Sequence, residues 1–145
     1  MPALNRVQLI GYLGQDPEVR YTPRGTRYTR FSVAVTRTWT TAEGEKREAT
    51  DWFRVEAWGR LGEICAEYLR KGRLVYIEGR LRTDRWEDAQ GKTRSRTVVV
   101  ATGMQMLDRK PSEEVPEVVE EAAVPEEVEE IEETGEAEPE EVVEA

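Results

Sequence analysis

Between Thr50 and Trp58 the chain alternates residue by residue as a β-strand does, with Phe53, Val55 and Ala57 on one side and Trp52, Arg54, Glu56 and Trp58 on the other. The first side reads as core. The second carries two tryptophans among charges, about 20 Å apart along a strand that rises about 3.3 Å per residue. The same alternation runs from Leu4 to Leu13, with Val7, Leu9 and Leu13 facing one way and Arg6, Gln8 and Tyr12 the other. Gly11 and Gly14 predict a bend in this first strand. Turn signals follow at Gly14-Gln15-Asp16-Pro17 and at Thr22-Pro23-Arg24-Gly25. A second strand is predicted over Tyr28 to Thr38, with Phe31, Val33 and Val35 inward. Trp39 shares their parity, so it is either buried or displaced by a twist or bulge; parity alone does not decide. Glu43-Gly44-Glu45-Lys46 is a polar tip that joins the two strong strands into a hairpin.

From Arg60 to Lys71 the period changes. Leu61, Ile64, Cys65, Tyr68 and Leu69 fall on one stripe of an amphipathic helix, and Gly72 after Arg70-Lys71 is a stop signal. Cys65 lies within the apolar stripe and reads as a small buried hydrophobe. Alternation then returns from Arg73 to Trp86, with Val75, Ile77 and Leu81 facing one way and Tyr76, Glu78, Arg80, Arg82, Asp84 and Trp86 the other. A turn at Asp88-Ala89-Gln90-Gly91 leads into a last strand, Thr93 to Met106. The order is strand, strand, strand, helix, strand, strand. An all-β chain with one helix in that place predicts the five-stranded Greek-key barrel called the OB-fold, whose exposed face binds oligonucleotides or oligosaccharides.

Charge divides the chain in two. Residues 1–110 hold all 21 Lys and Arg against 14 acids, a net of +7, whereas residues 111–145 hold 16 Glu and no base, a net of −16. We expect a basic folded domain over 1–110 and a disordered Glu-rich tail over 111–145, since the tail lacks the apolar content to offset its ordering entropy. The chain has no His and one Cys. That removes the commonest general base and metal ligand and any internal disulfide, so no catalytic residue, metal or cofactor is expected. No apolar run approaches the roughly 20 residues of a membrane span and nothing resembles a signal peptide, which points to the cytoplasm.

The polar sides of the two strongest strands carry Trp52, Arg54 and Trp58 on one, and Arg80, Arg82 and Trp86 on the other. Outward tryptophans interleaved with arginines suit single-stranded nucleic acid: each base stacks for about 1–3 kcal/mol and guanidinium groups meet the phosphates between. The same tryptophans could instead seal a subunit interface or pack under loops. Residue types alone leave both readings open.

Longer stretches narrow the choice. Asn5-Arg6-Val7, Gly11-Tyr12-Leu13-Gly14-Gln15-Asp16-Pro17-Glu18-Val19-Arg20-Tyr21, Glu67-Tyr68-Leu69-Arg70-Lys71-Gly72, Tyr76-Ile77-Glu78-Gly79-Arg80-Leu81-Arg82-Thr83 and Met104-Gln105-Met106-Leu107 occur in an order that resembles the bacterial single-stranded DNA-binding protein family. The resemblance covers residues 1 to about 108. It implies an OB-fold that assembles as a homotetramer and wraps single-stranded DNA, without strong sequence preference, during replication, recombination and repair in the nucleoid. The family's base-stacking aromatics fall on Trp39, Trp52, Trp58 and Trp86, and its basic backbone contacts on Arg54, Arg60, Lys71 and Arg85. Trp58 stands where the family often has Phe, and Phe53 where some members have a His at a subunit contact. Members commonly recruit genome-maintenance proteins through an Asp-rich, Pro-Phe tip; this sequence instead reads Pro139-Glu140-Glu141-Val142-Val143-Glu144-Ala145. The −16 tail is expected to compete with DNA for the +7 domain.

Rival readings are a replication-restart or RNA-binding OB protein, which would be expected to lack the full aromatic set and the acidic tail, and an accessory OB domain of an enzyme. The sequence holds no complete Gly-x-x-x-x-Gly-Lys-Ser/Thr phosphate loop to favour the latter: Gly91-Lys92-Thr93 occurs, but Trp86 stands where the first Gly would be.

Overall fold

In the computed structural model, residues 1–108 and the backbone of Val118–Val119 are described. Strand β1 (Val7–Leu13) is followed by a short β2 (Glu18–Tyr21), the long pair β3 (Arg27–Thr40) and β4 (Lys46–Trp58), helix α1 (Gly59–Tyr68), a second long pair β5 (Leu74–Glu87) and β6 (Thr93–Met106), and β7 (Val118–Val119).

Five of these close on themselves. β1 pairs β5, β5 pairs β6, β6 pairs β4, β4 pairs β3, and β3 returns to β1. Only the β4–β6 contact is parallel, at Val55↔Val99 and Glu56↔Val100; the other four are antiparallel. This is the OB barrel, with the helix where the change of period put it. β1 can serve two partners because it bends: it pairs β5 from Val7 to Tyr12 and reaches β3 at Tyr12 and Leu13. Gly11 sits at the handover, where a Cβ would stand 2.2 Å from the carbonyl oxygen of Ala34. No larger residue fits that approach.

The barrel interior holds Leu9, Leu13, Phe31, Val33, Val55, Ala57, Val75, Ile77, Val99, Ala101, Met104 and Met106, and α1 adds Leu61, Ile64 and Cys65. These are the inward sides of the alternating strands and the apolar stripe of the helix. Buried Thr29 fixes the helix to β3 by donating its hydroxyl to the Gly62 carbonyl at 2.8 Å.

Several details differ from the sequence expectations. The first strand begins at Val7, because Asn5 spends its side chain elsewhere: its amide accepts from the Leu81 N–H at 2.8 Å and donates to the Leu81 carbonyl at 2.9 Å. Between the two early turns lies an extra strand, β2, paired to β3 from Glu18↔Arg30 to Tyr21↔Arg27. The helix ends at Tyr68 rather than Lys71, with Leu69 already extended and Gly72 at φ +90° in the turn that follows. Leu81, expected inward, is exposed. β1 stops at Val7↔Gly79, so beyond that point the inner side of β5 has no strand to face. Of the segment read as a tail, only the backbone of Val118–Val119 is among the described residues, paired with β6 at Gly103 and Met104. The rest of the 111–145 expectation lies outside them.

Candidate nucleic-acid interface

The register of β3 and β4 is unbroken from Tyr28↔Trp58 to Thr40↔Lys46. Residues directly opposite in an antiparallel pair share a side of the sheet, so Trp52 sits with Ala34, Arg54 with Ser32, Glu56 with Arg30 and Trp58 with Tyr28. On the next strands, Val98 stands across from Arg82, and Arg94 from Trp86. Trp52, Arg54, Glu56, Trp58, Arg80, Arg82 and Trp86 therefore share one outer face of the β4–β6–β5 sheet. This is the group that alternation had placed on polar sides.

Within that face the tryptophans are not equivalent. Trp52 is 46% exposed. Its indole lies so close over Gly14 that a Cβ there would stand 2.3 Å from Cζ3, so a small shelf supports the ring and leaves π-surface open. Trp58 is only 8% exposed. It stacks on Tyr28, ring centroids 4.4 Å apart and planes 18° from parallel, and its buried indole N–H has no hydrogen-bond partner among the described residues. Burial, with Glu56 adding to it, raises the Tyr28 phenol above its ordinary pKa. Trp86 is half-buried, with the Arg96 guanidinium 5.0 Å above its ring, a cation–π arrangement.

Trp39 answers the question parity left open. It stays on the core-facing parity of β3, but the β3–β4 hairpin has by then run past the barrel, and the ring is 38% exposed. It therefore lies on the opposite side of this ribbon from Trp52. Arg37 lies over it at 5.2 Å and is itself held by Asp51 at 2.9 Å. The β3–β4 and β5–β6 hairpins thus each carry a tryptophan paired with an arginine.

The expected cations are spread more widely. Arg54 and Arg80 are half-buried on the shared face. Arg85 is exposed on the reverse side of the β5–β6 ribbon, across from Ser95. Arg60 is exposed in the first turn of α1, two residues after Trp58. Lys71 is exposed in the turn after the helix, where its backbone N–H donates to Asp16 Oδ1 at 2.9 Å.

Arg82 is turned away from solvent. Its Nε and one terminal nitrogen donate to the two Asp84 oxygens at 2.7 and 2.9 Å, and its other terminal nitrogen donates to Glu56 Oε1 at 2.9 Å. Burial opposes its charge, but Asp84 and Glu56 more than offset that and raise its pKa further.

Tyr28, Arg37, Arg96 and the clamping role of Glu56 were missed in the sequence. The signal for Tyr28 was present: a hairpin centred on Glu43 places it across from Trp58. Among the described residues no helix is long and apolar enough to cross a membrane.

The Single-strand binding protein family model matches residues 4–107. Single-stranded DNA-binding protein 1 of Chlorobaculum tepidum is 47% identical over 110 residues, which are 75% of this chain and 68% of that protein. Among solved structures, the Plasmodium falciparum SSB complex with ssDNA superimposes with a TM-score of 0.68 at 28% identity, over 74% of this chain and 98% of the other.

Proposed function

This chain belongs to the single-strand binding protein family, and we propose that it binds single-stranded DNA, without strong sequence preference, during replication, recombination and repair. The observation that carries the mechanism is Trp52: a half-exposed indole seated on Gly14, on an arginine-bearing face of an OB barrel. Bases stack on Trp52 and on the hairpin tryptophans Trp39 and Trp86, while Arg54, Arg60, Lys71, Arg80 and Arg85 meet the phosphates. Trp58, already stacked on Tyr28, supports this surface from within it and adds the edge of its ring.

The role is binding without catalysis, and its place is the cytoplasm with the nucleoid. We infer a basic domain over 1–110 followed by a Glu-rich segment able to meet genome-maintenance proteins and to compete with DNA for the basic face. A homotetramer is the assembly we infer. It has support in Ile10 and Tyr12, two large side chains that stand more than half exposed on the outer side of β1.

Equilibrium binding of oligo-dT, of the matching duplex and of oligo-U at one salt concentration tests the reading. Tight binding to dT with much weaker binding to duplex is expected, because paired bases hide the faces that stack. Duplex binding of equal strength would overturn it, and preference for oligo-U would make the target RNA.

A further inference from the structure

The cluster Glu56–Arg82–Asp84 lies in the middle of the proposed DNA face. Glu56 is 2% exposed although it sits on the outer side of β4, and the side chains of Arg82 and Asp84 are 14% and 9% exposed. A carboxylate is rarely buried unless it is paired. Here the pair spans three strands: Arg82 and Asp84 stand on β5 two residues apart, Glu56 stands on β4, and β6 runs between them with Val98 across from Arg82 and Val100 beside Glu56. Both valines are fully buried, yet neither belongs to the core cluster inside the barrel. The Arg82 side chain reaches over β6 to make the contact.

Three of the five guanidinium N–H groups are committed, two of them in a planar fork on one carboxylate. Such bidentate pairs are the strong form of the ion pair. A phosphate arriving from solvent would have to displace a partner that is already in place and already desolvated. It would also approach two carboxylates for one guanidinium, a local excess of negative charge on an otherwise basic face.

We propose that Arg82 is a positioning residue and not a phosphate ligand: Glu56 and Asp84 withhold its guanidinium from the DNA backbone, and the clamp ties the β4 half of the aromatic face, with Trp52, to the β5–β6 half, with Trp86. The inference rests on the single-stranded DNA reading and refines which cations serve it.

Salt dependence separates the alternatives, since each phosphate contact on a single strand contributes about 0.7 to the slope of log affinity against log salt. Oligo-dT binding is measured over a salt series for the natural protein, for the double variant Glu56→Gln with Asp84→Asn, and for the triple variant that adds Arg82→Met. Releasing the guanidinium in the double variant is expected to steepen the slope by about 0.7, an added loss of about 2.6-fold between 50 and 200 mM salt. The triple variant returns to the natural slope. If Arg82 already binds a phosphate, the double variant keeps the natural slope and the triple variant falls about 0.7 below it, which would overturn the proposal.

Where a variant does not fold, the natural protein decides alone. The Arg82 Nε–H resonance is expected to keep its shift and its exchange protection when oligo-dT is added, and loss of either contradicts the clamp. Failure of the natural protein to bind dT at all would count against the function, a separate result.

Discussion

Tyr28 and Trp58 lie directly opposite each other at the barrel end of the β3–β4 pair and stack ring on ring at 4.4 Å. A residue that alternation places outside is thereby taken out of solvent by its cross-strand neighbour. Such a pair contributes about 0.5–1.5 kcal/mol beyond area burial. Removing the indole also empties a buried site, so Trp58→Ala should lower stability by about 3–5 kcal/mol, whereas Trp58→Phe keeps a stacked ring and should cost clearly less. Thermal and urea unfolding of the two variants measure this. Equal and negligible losses would mean the stack carries no load.

Gly11 and Gly14 make a second, paired prediction. A methyl at Gly11 meets backbone, the Ala34 carbonyl oxygen at 2.2 Å, while a methyl at Gly14 meets the far end of the Trp52 ring at 2.3 Å. Backbone cannot yield without unpairing strands, but a ring can rotate. Gly11→Ala is therefore expected to destabilise the barrel strongly, and Gly14→Ala to leave the melting temperature little changed while weakening DNA binding through a displaced Trp52. Melting curves and dT titrations of both variants read the two effects separately.

Burial pushes the Cys65 thiol up to about 12 from its ordinary 9.0. The folded thiol holds its proton where the unfolded thiol has lost it. Its contribution to stability is accordingly full below pH 9 and is lost as pH rises toward about 12. Unfolding measured at rising pH should show that loss in the natural protein, and much less of it in Cys65→Ala. At pH 8 a thiol reagent should label Cys65 only after denaturant is added.

Asp88 has the opposite sign. The Arg94 side chain, and then the Lys92 and Gln90 backbone N–H groups, hydrogen-bond its carboxylate and hold its pKa below the ordinary value. The order it brings to the β5–β6 turn is present above the unfolded pKa and is lost as pH falls through the lower, folded one. Asp88→Asn should loosen that turn at neutral pH, seen as faster amide exchange at Gln90 and Lys92, and should remove the acid-dependent step. Unchanged exchange would mean that the turn does not depend on the charge.

The barrel was legible because its strands alternate strictly and its helix does not. Phe31, Val55 and Ile77 announce their sides without knowledge of any partner. β2 escaped notice because Glu18–Tyr21 is four residues set between two turn signals, with only Val19 and Tyr21 to suggest a strand. Trp39 was undecidable because parity reports a side and not whether the barrel still lies beneath it. Leu81 was misplaced for the same reason. The Tyr28–Trp58 stack and the Glu56–Arg82 clamp join residues whose nearness depends on pairing between distant strands. The second bridges across β6, a relation that no local pattern encodes.

Base stacking on tryptophan is tested most directly by the protein's own fluorescence during titration with unlabelled poly-dT, for the natural chain, Trp52→Phe and Trp58→Phe. Strong quenching that saturates at a defined ratio of nucleotide to protein is predicted. Trp52→Phe should remove a large share of it, and Trp58→Phe a small one. Fluorescence unchanged by poly-dT in the natural protein would contradict stacking and move the exposed indoles to an interface between subunits.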